Sequence, residues 1–239
     1  MKRSTKVLLG AVVAALVVFV VAPWLYINVI REDAPERLTL ATTVTTTVET
    51  IVGTTNGESG GDEPFDPSGQ WVIAEGSVVG YRVEEILFGQ NVTAVGRTGS
   101  VTGSIVIDAE SVTEGGFTVD VASITSDSSR RDGQVNGRIL QTATYPQATF
   151  SLTAPIALPL SAFEGQPTRL DATGSLTLLD VTREVTFPVD VQLVDGTVNI
   201  VGTIPIVFDE WNIPDPSTGG IAVDPRGELE FSLALAKNN

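Results

Sequence analysis

The 239-residue chain contains no cysteine and no histidine. These two absences remove disulfides, thiol nucleophiles, Cys/His zinc sites and imidazole general bases together. Basic side chains are also scarce, 14 against 29 acidic ones, for a formal net charge of −15. Five of the basic residues (Lys2, Arg3, Lys6, Arg31, Arg37) and three of the acidic ones (Glu32, Asp33, Glu36) fall in the first 37 positions, which leaves 9 and 26 for the remainder, a net of −17. A body of that charge repels nucleic-acid backbones and anionic headgroups, so nucleic-acid binding is set aside and the acidity reads first as solubility. No nucleophile elbow, P-loop or dinucleotide-binding glycine pattern is present. Glu84 and Glu85 are neighbours in an expected strand and point to opposite faces, which makes them poor acid–base partners. Asp62, Glu63 and Asp66 match no calcium-loop spacing. The expectation is a protein that is not an enzyme and carries no cofactor and no metal.

What is present begins with an apolar run from Val7 to Ile30, preceded by Lys2, Arg3 and Lys6 and interrupted by one strongly polar side chain, Asn28. As a helix its 24 residues span roughly 36 Å, more than the ~30 Å hydrocarbon core of a bilayer. Trp24 and Tyr26 suit the distal interface, and the basic N-terminus points to an inside orientation. The competing reading is a cleaved signal peptide. The length of the run and the lack of a small-x-small site after it favour an uncleaved anchor. Residues 1–31 are therefore read as a cytoplasmic tip and transmembrane anchor of the cytoplasmic membrane, single-pass, with the C-terminal domain extracytoplasmic. Residues 32–68 follow as a flexible linker: Thr and Val crowd Thr39 to Thr55, then Gly, Pro and acidic residues dominate. The Thr/Val half could also form a strand, and the expected role is a spacer that lifts the domain off the membrane.

From Trp71 the period becomes two. Phe117, Val119 and Val121 alternate with Thr118, Asp120 and Ala122, and Val185 to Leu193 and Leu229 to Leu235 alternate in the same way. Such rows predict strands with one apolar and one wet face. Glu114-Gly115-Gly116, Asp195-Gly196 and Pro225-Arg226-Gly227 read as the turns between runs, with Asp195-Gly196 a tight hairpin. About eight to ten strands are expected, with one helical insertion over Ser129 to Thr144 that ends before Tyr145-Pro146. Antiparallel strands of this kind close as a barrel or a sandwich, and pattern alone does not choose.

The ordered set of pieces resembles the YceI-like family of lipid-binding, lipocalin-like barrels, also described as polyisoprenoid-binding. It runs through Trp71-Val72-Ile73, then Ser77, Val79, Tyr81 and Val83, then Val95-Gly96 and Gly103 to Asp108. Ser123-Ile124-Thr125, Arg131-Asp132, Tyr145-Pro146 and Thr149-Phe150 follow, then Gly174 to Leu178, Val181-Thr182-Arg183, Val185, Phe208, Trp211, Ile213 and the final strand to Leu235. The chain departs from the family where histidines are common, with Gly76, Glu85 and Gln134 in their place, and where aromatics are expected, with Thr98 and Val101. The resemblance implies an all-β fold: an eight-stranded antiparallel lipocalin-like barrel, with one short helical insertion, over residues 69–239. It further implies an elongated apolar cavity holding an isoprenoid or other long-chain lipid, quinone- or polyprenyl-phosphate-like. Eight strands enclose just enough room for packed side chains or one slender ligand.

Candidate cavity-lining residues are the inward rows: Val79, Tyr81 and Val83; Phe117, Val119 and Val121; Phe150; Leu176 and Leu178; Phe187 and Val189; Ile204, Ile206 and Phe208; Phe231 and Leu233. Trp211, in a loop-like stretch, would cap the mouth. The same residues could simply fill a core, and sequence does not separate a hollow barrel from a filled one. Arg131 suits a charged head group through paired hydrogen bonds, although a loop contact with Asp132 or a plain surface charge is the preferred reading. Tyr145 or Tyr81 could reach a carbonyl head, but both read first as packing residues. The leading function is membrane-tethered lipid binding, and the rival is a structural or interaction domain of the cell envelope with a filled barrel. A homodimer is an open option.

Overall fold

The alternating rows of the sequence become the inner and outer surfaces of one continuous antiparallel sheet. The computed structural model describes residues 17–25, 27, 29, 33–40 and 66–238. Most of the expected anchor, Tyr26 included, and residues 41–65 of the expected linker lie outside the described residues. Within the apolar run, Val17–Val21 and Ala22–Leu25 are helical, with Val18, Trp24 and Val29 among the exposed side chains. Among the described residues no helix is long and apolar enough to cross a membrane.

The strands are β1 (Gly69–Ile73), β2 (Val78–Leu87), β3 (Gln90–Thr98), β4 (Val101–Asp108), β5 (Ser111–Asp120) and β6 (Thr125–Ser126), then β7 (Gln147–Leu152), β8 (Ile156–Ala157), β9 (Thr168–Leu178), β10 (Val181–Val194), β11 (Thr197–Val207) and β12 (Ile221–Lys237). The pairing order β1-β4-β5-β7-β9-β10-β11-β12 closes on itself through a further β1–β12 pairing, an eight-stranded barrel. The long β12 pairs with β1 near its end and with β2 over Ile221 to Ser232, so β1 and β2 succeed one another along one neighbour. The joint is tied by Ser77, whose hydroxyl donates to the Ala74 carbonyl at 2.8 Å and accepts from the Ala234 amide at 3.0 Å. The strands β3 and β6 extend the wall beyond β2.

Asp195 and Gly196 form the two-residue turn between Val194 and Thr197 with φ of 49° and 74°. Both values lie in the left-handed region that a hairpin of matching twist needs and that Asp-Gly adopts at low cost. The other two expected turns lie inside strands. Glu114-Gly115-Gly116 belongs to β5, where the register against β4 shifts by a bulge, and Pro225-Arg226-Gly227 belongs to β12, at a bulge against β2. Proline lacks an N–H for the ladder and is tolerated there because the bulge leaves that position unpaired. The helical insertion is shorter than expected: α1 (Ser129–Gln134) and one wide turn, Val135–Ile139, before the chain loops toward β7. Ser128 caps α1 by accepting the Arg131 amide.

The outer wall carries a buried charge cluster. Glu230 of β12 is 1% exposed and lies between Arg82 of β2 and Arg97 of β3. What covers it is residues 33–40, part of the expected linker. Arg82 Nη2 donates to the Pro35 carbonyl at 2.7 Å, Arg97 Nη2 donates to the Glu36 carbonyl, and Arg37 pairs with Glu228. This segment is a strap laid across β2, β3 and β12.

Candidate functional site

Side chains of the inward rows enclose two separate spaces, and no residue lines both. The larger has a volume of about 560 Å³, within the ~300–1,000 Å³ range of small-molecule sites. Val79, Tyr81, Val83, Val119, Val121, Leu178, Ile206 and Phe208 line it, as do both head-group candidates, Arg131 and Tyr145. The smaller, of about 100 Å³, takes Phe117, Phe150, Phe187, Val189, Phe231 and Leu233 from the same expected set, and its whole lining is apolar side chains and glycine. Leu176, Ile204 and Trp211 line neither space. Leu176 and Ile204 are buried in the core, and Trp211 is likewise buried, in the turn Phe208–Trp211.

Between the two spaces stands a ring of phenylalanines. Phe117 lies 5.5 Å from both Phe150 and Phe231, and Phe187 lies 5.3 Å from Phe150 and 5.9 Å from Phe231, centroid to centroid, so the four rings close a circuit across the bore. Two of the four contacts are edge-on, one is stacked and one tilted, and stacked and edge contacts are favourable beyond the area they bury. The circuit needs glycine opposite its rings. A Cβ on Gly174 would stand 2.4 Å from Phe150 Cζ, and one on Gly202 would stand 2.4 Å from Phe231 Cζ.

One group of polar side chains in the wall of the larger cavity is centred on Arg131. Arg131 pairs with Asp127 and stands 3.8 Å from Glu85. Burial lowers the affinity of its guanidinium for a proton, but Glu85 and Asp127 more than offset this, and the pKa is raised. The Tyr81 hydroxyl is buried, with the Ser126 hydroxyl near it but no partner in hydrogen-bonding geometry. Its pKa is pushed up to about 12, first by desolvation, with a smaller opposing pull from the Arg131 charge. The expected Arg131–Asp132 contact is replaced: Asp132 accepts from the Ser126 amide and hydroxyl, which fixes the start of the insertion.

Sequence reasoning missed the insertion's contribution to this wall. Val135 and Ile139, four apart, and Leu140 line the larger cavity beside Arg130 and Gln134; the i, i+4 apolar pair was a usable signal. It also missed the hairpin tips. Phe88, 56% exposed, and Leu179 line the same cavity, each with positive φ (50° and 53°) in a two-residue turn.

A family model for the YceI-like domain matches residues 71–235. The chain belongs to the YceI-like family. Among solved structures it is similar to a polyisoprenoid binding domain from Saccharophagus degradans implicated in plant cell wall breakdown, at 16% identity over 71% of this chain and 98% of that one, with a TM-score of 0.55. It is also similar to BcnA of Burkholderia cenocepacia, at 26% identity over 64% of this chain and 95% of that one, with a TM-score of 0.50. The comparison with curated proteins gave no match. Two of the three positions where this YceI-like chain lacks the family's histidines, Glu85 and Gln134, line the larger cavity, whereas Gly76 lies outside it. Thr98 and Val101, which replace expected aromatics, also lie outside it.

Proposed function

We propose that this YceI-like protein is a membrane-tethered, extracytoplasmic carrier or store for an amphipathic lipid of isoprenoid type, and that it performs no catalysis. The observation that carries this reading is the 560 Å³ cavity, whose walls are largely apolar and carry a polar cluster of Arg131, Glu85 and Asp127 together with Tyr81. That division suits a molecule with a greasy chain and a small polar head. Each CH₂ group withdrawn from water contributes about 0.8 kcal/mol, so a chain binds without directional contacts. The solved relative described as a polyisoprenoid binding domain supports the same ligand class.

The head group is neutral and hydrogen-bond accepting. Arg131 already faces two carboxylates, so a phosphate would have to displace one of them against like charge. The Tyr81 hydroxyl has no hydrogen-bond partner and suits a carbonyl or hydroxyl oxygen. This favours a quinone-like head over a polyprenyl phosphate. Membrane attachment rests on the apolar run Val7 to Ile30 and on the basic residues before it. The filled-barrel alternative draws on the phenylalanine circuit, whose four rings contact one another in the barrel interior.

Native mass spectrometry of the full chain, extracted from its own membrane into amphipol, tests the reading. A bound mass that organic solvent releases and that fragments as a prenyl or acyl chain is expected. A chain free of bound mass that also takes up no added isoprenoid quinone would turn the reading toward the envelope-structural role.

A further inference from the structure

We infer that the packed layer between the two spaces, the phenylalanine circuit with Leu176 and Ile204 beside it, is the floor of the ligand site and sets the length of chain the protein accepts; this rests on the lipid-binding reading. The geometry comes first. Along β5, β7, β9, β11 and β12, residues on one side of the circuit line the larger cavity and residues on the other side line the smaller one. On β5 the change falls between Val119 and Phe117, on β7 between Ala148 and Phe150, and on β12 between Leu229 and Phe231. On β9 and β11 the inward residues at that height, Gly174, Leu176, Gly202 and Ile204, line neither space. The four rings therefore lie at one level, with Leu176 and Ile204, 0% and 1% exposed, packed beside them.

A chain that enters past Tyr81 with its head held there can extend only to this level. Beyond it lies a space of about 100 Å³, smaller than the ~150 Å³ apolar cavity that accommodates a benzene molecule. Reaching it means turning aside rings that contact one another in a closed circuit, so moving one removes two ring contacts. The two glycines opposite the rings point the same way. Larger residues there would have filled the bore with aliphatic packing, and glycine instead admits Phe150 and Phe231 at full size. The floor limits the useful chain to a few isoprene units, and any longer tail stays outside the apolar wall or folds back.

The test is a length series of neutral isoprenoid alcohols, geraniol, farnesol, geranylgeraniol and solanesol, titrated against the full chain in amphipol by native mass spectrometry. Each CH₂ buried raises affinity about fourfold. In the wild type, affinity should climb through the short members and then level off, with less than a threefold change to solanesol. In Phe231→Ala the levelling should move to a longer member, with at least a tenfold gain for the longest alcohol relative to wild type. Phe117→Leu, a milder change, gives the same comparison should Phe231→Ala fail to fold. Affinity that climbs without a break across the wild-type series would overturn the floor while leaving lipid binding intact, as would a levelling point unchanged in both variants. Failure of every alcohol to bind would overturn the floor together with the lipid-binding reading.

Discussion

Arg82 and Glu230 meet across the β2–β12 pairing with Arg82 Nε donating to Glu230 Oε2 at 3.1 Å, on the outer face of the barrel and yet almost wholly shielded from water. Arg97 approaches the other carboxylate oxygen at 2.7 Å. Removing one member of such a buried group leaves its partners charged and unmatched. Glu230→Gln is therefore expected to lower stability by about 3–5 kcal/mol, read by urea unfolding. The triple change Arg82→Met, Glu230→Leu, Arg97→Met should be far milder, because no buried charge remains. In that variant the strap loses its two arginine donors, and residues 33–40 should become rapidly cleavable by protease. A strap that stays resistant would refute its attachment through Arg82 and Arg97.

Tyr81 gives the barrel an alkaline limit. Its folded pKa of about 12 stands above the ordinary 10.0. Below pH 10 the phenol is protonated in both states and makes no difference. Between pH 10 and 12 the unfolded chain ionises and the native barrel does not, so stability falls as pH rises through that window, by roughly 2 kcal/mol from this group. The difference in unfolding free energy between wild type and Tyr81→Phe, followed from pH 9 to pH 12 on this basis, should diverge only above pH 10. Parallel curves over that range would contradict the buried, unbonded hydroxyl.

Gly202 should tolerate no side chain. A methyl group there would meet the Phe231 ring at 2.4 Å, and overpacking of this kind costs about 1–3 kcal/mol. Gly202→Ala is expected to lower the thermal midpoint, and Gly202→Ala combined with Phe231→Leu should recover part of the loss. Equal losses in the single and double variants would mean that the ring is not what the glycine accommodates.

Phe88 is expected to trade stability for uptake. A bulky side chain at φ of 50° in a two-residue turn is strained, and Asn or Gly is the usual occupant. Phe88→Asn should therefore raise stability by about 1 kcal/mol, while slowing transfer of a fluorescent prenyl quinone from phosphatidylcholine vesicles, because the exposed ring at the cavity rim is gone. Faster or unchanged transfer in the variant would assign Phe88 no part in ligand entry.

Much of this architecture was legible in the chain. The rows Val185 to Leu193 and Leu229 to Leu235 face inward as their alternation requires, and Asp195-Gly196 turns as its dipeptide predicts. The partition of the bore was not legible. A period of two says which residues point inward but not at what height. That height depends on the stagger between strands, and four phenylalanines from β5, β7, β10 and β12 share a level only after the barrel closes. Glu230 was equally hidden. It stands in the wet row of β12 between Arg82 and Arg97, and these arginines hold the strap through the backbone carbonyls of Pro35 and Glu36, which carry no side-chain signature. Glycine and proline misled at Glu114-Gly115-Gly116 and Pro225-Arg226-Gly227 because bulges and turns draw on the same residues.

The strap also decides how force travels through the molecule. The polypeptide touches β2, β3 and β12 at residues 33–40 before it returns to enter the barrel at β1. A pull from the N-terminal side is therefore taken up by contacts spread over three strands and not by the first strand alone. Until those contacts give way, β1 is spared peeling.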